Sequence, residues 1–325
     1  MSVTDAAPAG HVGRKLRRKE DPRLITGRAR YVDDIALPGQ LWASFVRSPE
    51  AHAKVVSIDT SEAVARDGVS AVFTGEDMSD LGGPLPMAWV PPGVEVNNPE
   101  HWPLARGVVR HVGDPVAVVV GEDRYAVSDA VEDVVVEYDP LPAIVDPEAA
   151  IAGAPYVHPQ LESNKVHEWT LAGGDVEAGF AEADVIVERR VVNHRIAGAP
   201  IECRGVLADY RAGSLTLYTS TQVPHFVRLF MALLLGLGED HVRVVAPEVG
   251  GGFGQKLQVY ARSSSRAGPR ASSGARSSGS RRARRTCRWP TRAATRSPRC
   301  AWAPSATARS PPGTSRSSPT SAPTT

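Results

Sequence analysis

The residues best suited to chemistry lie in one stretch, His241–Leu257, which reads HVRVVAPEVGGGFGQKL. Gly250, Gly251, Gly252 and Gly254 leave almost no side chain around Phe253. Glycine tolerates backbone angles that other residues resist, and it lets a ligand touch the main chain. A loop of uncovered N–H groups is a device for holding oxo groups and phosphates. Two familiar phosphate binders are excluded. The dinucleotide fingerprint G-x-G-x-x-G fails because Leu257 occupies its last position, and the phosphate-loop pattern fails because Lys256 lies between Gln255 and Leu257. A glycine cluster also reads as a plain turn. Against that stands a second polar feature upstream, Ser220-Thr221-Gln222-Val223-Pro224-His225.

Elements must hold these two features. Val206–Tyr210 and Ser214–Ser220 read as strands joined by a hairpin turn at Ala212-Gly213. Pro224 opens a helix through Leu235, with Phe226, Leu229, Phe230, Leu233 and Leu234 apolar. Gln222 therefore falls just before a helix N-terminus, a place that favours negative charge. Val242, Val244 and Val245 form a buried strand that runs into the glycine loop. His225 could serve as a base, but reads better as a capping or surface residue. Cys203 has no base beside it in sequence and reads as a packing residue.

Upstream, Leu41–Ser48, Lys54–Asp59, Val69–Thr74, Gly113–Val120 and Val134–Tyr138 read as strands. Gly113–Val120 is continuously apolar, so both its faces should be buried. Thr60–Arg66 and Arg124–Asp133 read as helices, the second with Tyr125, Ala126, Ala130 and Val134 on one side. Leu81–Pro103 reads as loop. The sum is an α+β domain over 21–145, preceded by a basic arm at 1–20. A proline-spaced connector follows. A second α+β unit spans 146–260, with a helix from Val176 to Ala183 and a long strand from Val185 to Asn193.

The whole chain has 325 residues, enough for about two domains. Its net charge of +1 hides a division. Residues 261–325 hold 14 of the 37 basic residues, all Arg, and none of the 36 acids, which leaves residues 1–260 at −13. An acidic body argues against nucleic-acid binding there. No apolar run approaches transmembrane length, and the N-terminus lacks a signal-peptide core, so a cytoplasmic location is expected. Three cysteines make neither a metal spacing nor an even disulfide set.

The tail uses only Ala, Arg, Ser, Gly, Pro, Thr, Cys and Trp. With no Leu, Ile, Val or Phe it cannot bury a core, and disorder is expected. All eight residue types have G or C at the second codon position. That alphabet is what a GC-rich gene yields when its reading frame slips, and a frameshift near residue 260 is expected. Otherwise the tail is an Arg-rich RNA-binding segment, or the chain a non-catalytic scaffold.

The Ser220-Thr221-Gln222 and Gly250–Lys256 motifs resemble those of the molybdenum-binding large subunit of the xanthine dehydrogenase, aldehyde oxidase and aerobic carbon monoxide dehydrogenase family. Gly13–Asp34 resembles the family's N-terminal signature, and Arg110–Pro142 is similar to the "a/b hammerhead" domain that opens the subunit. The resemblance covers residues 13–260. It implies that a hammerhead domain is followed by the start of a molybdopterin-binding domain. It places Gln222 beside the apical oxo ligand, and Gly251, Gly252, Phe253 and Gly254 against the metal and its pterin. No protein side chain ligates the metal, which the pterin dithiolene holds. The implied reaction is oxidative hydroxylation of an aldehyde, an N-heterocycle or carbon monoxide, with water as the oxygen source. The cofactor is molybdopterin, in its cytosine dinucleotide form. FAD and [2Fe-2S] clusters reside on a medium and a small partner subunit. A glutamate late in the family's chain acts as general base. No catalytic residue is readable here, and Glu248 carries no catalytic role, so this chain is expected to be inactive alone. Purine-oxidising members carry Glu directly after the loop lysine. Leu257 stands there instead, which disfavours a purine.

Overall fold

Runs of β-branched residues broken by Pro and Gly, and short helices capped by carboxylates, build the first half of the chain. The computed structural model describes residues 15–78, 83–87, 90, 92–194 and 196–260, and residues 285–288 by backbone pairing alone. The expected arm (residues 1–14) and tail (261–284 and 289–325) otherwise lie outside the described residues, as do 79–82, 88, 89 and 91 of the expected loop.

Helix α1 (Asp21–Ile25) leads into β1 (Gln40–Arg47), β2 (Ala53–Asp59), α2 (Ser61–Ala65) and β3 (Val69–Thr74). Then follow β4 (Val108–Val109), β5 (Pro115–Gly121), α3 (Arg124–Ala130) and β6 (Val135–Pro140). Strand β5 lies antiparallel between β1 and β3, while β2 pairs with β4 and β6 in a separate three-stranded sheet. As its unbroken apolar sequence demands, β5 is buried on both faces. It ends on Gly121, where a Cβ would stand 2.2 Å from the Gly68 carbonyl oxygen, so only glycine fits. The Asp123 carboxylate then accepts from the amides of Tyr125 and Ala126 and starts α3. Val127 and Ala130 form the buried side of that helix. Tyr125, expected inside, points to solvent, because the helix turns toward the sheet through 127 and 130. Val46, Ala53, Val116, Val119 and Val127 pack with Ala130 into one core.

The second unit contains α4 (Pro147–Ala152), α5 (Val176–Glu182), β7 (Val206–Arg211), β8 (Ser214–Thr219), α6 (Pro224–Leu235) and β9 (Val242–Val245). Ala212 and Gly213 both take positive φ (47° and 83°), the backbone of a tight hairpin turn between β7 and β8. β9 joins β8 in parallel, and α6 makes the crossover. The α6 helix ends on Gly236 in the left-handed region, with the Leu237 amide donating to Ala232. Its buried residues are Val227, Met231, Ala232 and Leu234. Phe226, Leu229 and Leu233 are exposed, because the helix meets the sheet along 227, 231 and 234.

Two expectations need correction. Val185–Asn193 forms no strand: it lies in no sheet among the described residues, because no neighbouring strand meets its backbone. And β10 (Arg285–Arg288) departs, for those four residues, from an unstructured tail. It lies parallel to β1 and antiparallel to β7, which completes the strand order β3-β5-β1-β10-β7-β8-β9. Main-chain pairing with two facing strand edges makes no demand for apolar side chains.

Candidate cofactor-facing site

Gln222 leaves the end of β8 just before α6 and meets the glycine loop that follows β9. Its amide donates to the Lys256 carbonyl (3.0 Å). Its side-chain Oε1 accepts from the amides of Gly254 (3.1 Å) and Lys256 (3.4 Å). The Thr221 hydroxyl adds a bond to the Lys256 carbonyl at 3.1 Å. The two sequence features thus form one unit. At Gly252 a Cβ would stand 2.5 Å from both the Cδ and Oε1 of Gln222, so the close approach of carboxamide and loop needs glycine. Gly251, Phe253 and Gly254 all take positive φ (96°, 50° and 79°). The Phe253 side chain projects outward and is 72% exposed.

The expectation of a wholly uncovered amide row is corrected by these bonds. Gly250, Gly254, Gln255, Lys256 and Leu257 donate their amides to partners within the protein. That leaves Gly251, Gly252 and Phe253 as the loop amides without a recorded acceptor among the described residues, next to the Gln222 Nε2 donor. Three amides and a carboxamide N–H, on a surface too crowded for a Cβ, suit an oxygen-bearing group that approaches from solvent.

A buried ionic cluster, not foreseen from sequence as a unit, lies under the loop. Lys256 Nζ donates to Glu202 Oε2 (2.9 Å) and to the Ser220 hydroxyl (2.6 Å), and that hydroxyl donates to the same carboxylate oxygen (2.6 Å). The Gly250 amide donates to this oxygen as well, at 2.7 Å. The Lys256 side chain is 0% exposed and that of Glu202 13%. Glu202 thus ties both ends of the loop, residues 250 and 256, to the end of β8. The one sequence signal was the lone lysine closing an otherwise bare glycine loop. Nothing marked Glu202 as its partner across 54 residues.

The other sequence candidates lie apart from this chemistry. Glu248 pairs with Arg23, whose guanidinium is held above its ordinary pKa by that hydrogen bond. His225 sits in the first turn of α6. Cys203 is half-buried and free. Leu257 is partly exposed beyond the lysine. Among the described residues, no cluster of three or more His, Cys, Asp or Glu could ligate a metal. No helix among them is long and apolar enough to cross a membrane.

Comparison with known proteins bears on this geometry. A family model described as "Aldehyde oxidase and xanthine dehydrogenase, a/b hammerhead domain" matches residues 26–142. A second, described as "Molybdopterin cofactor-binding domain", matches residues 157–267 and contains both halves of the site. The chain is 40% identical over 251 residues to the nicotine 6-hydroxylase large subunit of Paenarthrobacter nicotinovorans, covering 77% of this chain and 30% of the relative. It is 37% identical over 265 residues to the carbon monoxide dehydrogenase large chain of Afipia carboxidovorans, covering 77% and 32%. Among solved structures, it is similar to quinoline 2-oxidoreductase from Pseudomonas putida 86, with a TM-score of 0.73 and 35% identity over 85% of this chain and 34% of that one. The chain spans about a third of the length of these relatives.

Proposed function

The chain belongs, over residues 26–267, to the molybdopterin-binding large-subunit family of xanthine dehydrogenases, aldehyde oxidases and aerobic carbon monoxide dehydrogenases; from that premise we propose that it carries half of a molybdenum hydroxylase's cofactor cradle. The whole subunit's reaction is the oxidative hydroxylation of a small molecule, with water as the oxygen source. The observation that carries this is the Gln222–Gly252 contact. A carboxamide oxygen is consumed by two loop amides, which leaves its N–H group and the amides of Gly251, Gly252 and Phe253 without an acceptor among the described residues.

The molybdenum pterin supplies the two-electron oxidation when bound. What this chain contributes is position. Gln222 Nε2 would donate to an oxo group of the bound cofactor, and the amides of Gly251, Gly252 and Phe253 would serve as further donors. Preorganised donors of this kind do not reorganise as charge develops. Lys256, Glu202 and Ser220 keep the loop from shifting. Leu257 after the loop lysine, together with relatives named for nicotine, quinoline and carbon monoxide, favours a non-purine substrate. The cytosine dinucleotide form of the cofactor, an iron–sulfur small subunit, an FAD-binding medium subunit and a cytoplasmic setting complete the proposal.

The general base lies outside this chain's family-like region. Residues 261–325 are read as an out-of-frame tail, on the strength of their eight-residue alphabet. The test is metal analysis with a turnover assay on the purified chain. We expect molybdenum well below one atom per chain and no oxidation of carbon monoxide, aldehydes or N-heterocycles. Stoichiometric molybdenum, or turnover, would contradict a half cradle.

A further inference from the structure

A peptide link carries its carbonyl and its N–H in one plane, pointing in opposite directions, so a hydrogen bond at either end orients both. Along the glycine loop that rule separates one link from the rest. The Gly250 carbonyl accepts from the Glu202 amide (3.2 Å), so the Gly251 N–H is directed away from the main chain of Glu202. The Gly252 carbonyl accepts from the Gln255 amide (2.9 Å), which fixes the Phe253 N–H in the same manner. The links that enter Gly250, Gly254, Gln255, Lys256 and Leu257 are held by their own N–H groups. Their acceptors are Glu202 Oε2, Gln222 Oε1, the Gly252 carbonyl, Gln222 Oε1 again and the Gly254 carbonyl. Between Val249 and Leu257, the link from Gly251 to Gly252 is the one with no hydrogen bond at either end among the described residues.

That link has glycine on both sides. A half-turn of it changes ψ of Gly251 and φ of Gly252 and leaves the neighbouring links in place. Gly251 and Gly254 already hold positive φ (96° and 79°); Gly252 does not, and the half-turn carries it there. Glycine accepts either sign.

We propose that the Gly251–Gly252 peptide turns over, and that an oxygen ligand selects one of its two orientations. With its N–H beside those of Gly251 and Phe253, the loop presents three donors in succession, which suits an oxo group that can only accept. With its carbonyl there, the loop presents an acceptor between two donors, which suits a water molecule that also donates. Water favours the second arrangement, and the cofactor draws the population into the first. The choice of the cofactor as ligand rests on the cradle reading above; the turning peptide does not.

Nuclear magnetic resonance relaxation dispersion on the labelled full chain tests this. Without cofactor we expect microsecond-to-millisecond exchange, or a reduced N–H dipolar coupling, at the Gly252 amide and the Gly251 carbonyl carbon. The Gly251 and Phe253 amides should be flat. Saturating molybdenum pterin, released from another molybdoenzyme, should abolish the exchange at Gly252. A locking variant must first clear Gln222, since a Cβ at 252 would stand 2.5 Å from its Cδ and Oε1. In Gln222→Ala the exchange at 252 should persist. In Gln222→Ala/Gly252→Ala it should vanish, because alanine resists positive φ. A flat profile with a full-sized coupling at Gly252 would overturn the proposal, even where cofactor shifts fall at 251–253 as the cradle reading requires. Exchange spread evenly over 250–257 would overturn it as motion of the whole loop, and so would exchange that survives in the double variant. Exchange at Gly252 that the cofactor leaves unchanged, with its shifts in the hammerhead sheet, would overturn the cradle reading and the choice of ligand together.

Discussion

The hammerhead sheet and the cofactor-facing unit solve opposite problems with similar strands. In the first, β5 is sealed between β1 and β3, and Val116, Ala117 and Val119 have no exposure. The second has a firm centre, where β7, β8, β9 and α6 hold Gln222 against its loop, but an open flank. Trp169, Leu171, Phe180, Val191 and Ile196 are all exposed on that flank. An apolar surface of this kind marks an unfilled interface. The two regions share one seven-stranded sheet and a core in which Ala43, Phe45 and Val118 lie with Val206, Leu217 and Val227, but the second also leaves many apolar side chains in water.

The largest test of that contrast is the buried cluster. Lys256→Ala would leave the Glu202 carboxylate without its buried counter-charge, held only by the Ser220 hydroxyl and the Gly250 amide, and should cost about 3–5 kcal/mol. Hydrogen exchange should show the loss in peptides around 202, 220 and 250–256, with the hammerhead strands unchanged. Next come two glycine substitutions. Gly121→Ala drives a Cβ into the Gly68 backbone, which cannot yield locally, and should cost about 3 kcal/mol in the hammerhead melting transition. Gly252→Ala meets a side chain end, Gln222, that can swing away. It should cost about 1–2 kcal/mol and expose the Gly254 and Lys256 amides to exchange.

A pH titration separates the regions in another way. Burial lowers the His158 ring to about 4, with Arg110, His101 and His52 pushing the same way. Burial also lowers His101, against the pull of Asp114. Both rings bind fewer protons folded than unfolded, so their contribution to stability is intact above pH 6.5 and is lost as pH falls toward about 4. Chemical denaturation should show the hammerhead and its connector losing stability across that window, and His158→Phe should flatten the loss. The smallest effect is the α3 cap. Asp123→Ala should cost about 1 kcal/mol, read as a shift in the same melting transition.

Sequence made the strands and α6 legible because each is a short β-branched or amphipathic run with Pro or Gly at its ends. The helix Pro224–Leu235 forms with the bounds its proline and Gly236 dictate. What it could not show was partnership. Val185–Asn193 has every local property of a strand, but a strand exists only where a neighbour accepts its hydrogen bonds. In the site, Gln222 and the glycine loop were visible as separate motifs. That one carboxamide oxygen silences two of the loop amides, and that Glu202 braces the loop from below, depend on chain crossings that no local pattern encodes.

The central claim is that the N–H group of Gln222 and the amides of 251–253 together face the molybdenum pterin. Nuclear magnetic resonance of the labelled chain, titrated with molybdenum pterin released from another molybdoenzyme, tests it directly. The account predicts shifts concentrated at the Gly251, Gly252 and Phe253 amides and the Gln222 side chain, while the Gly254 and Lys256 amides, already bonded to Gln222, move least. Shifts that map to the hammerhead sheet instead, or no shifts at saturating cofactor, would contradict it.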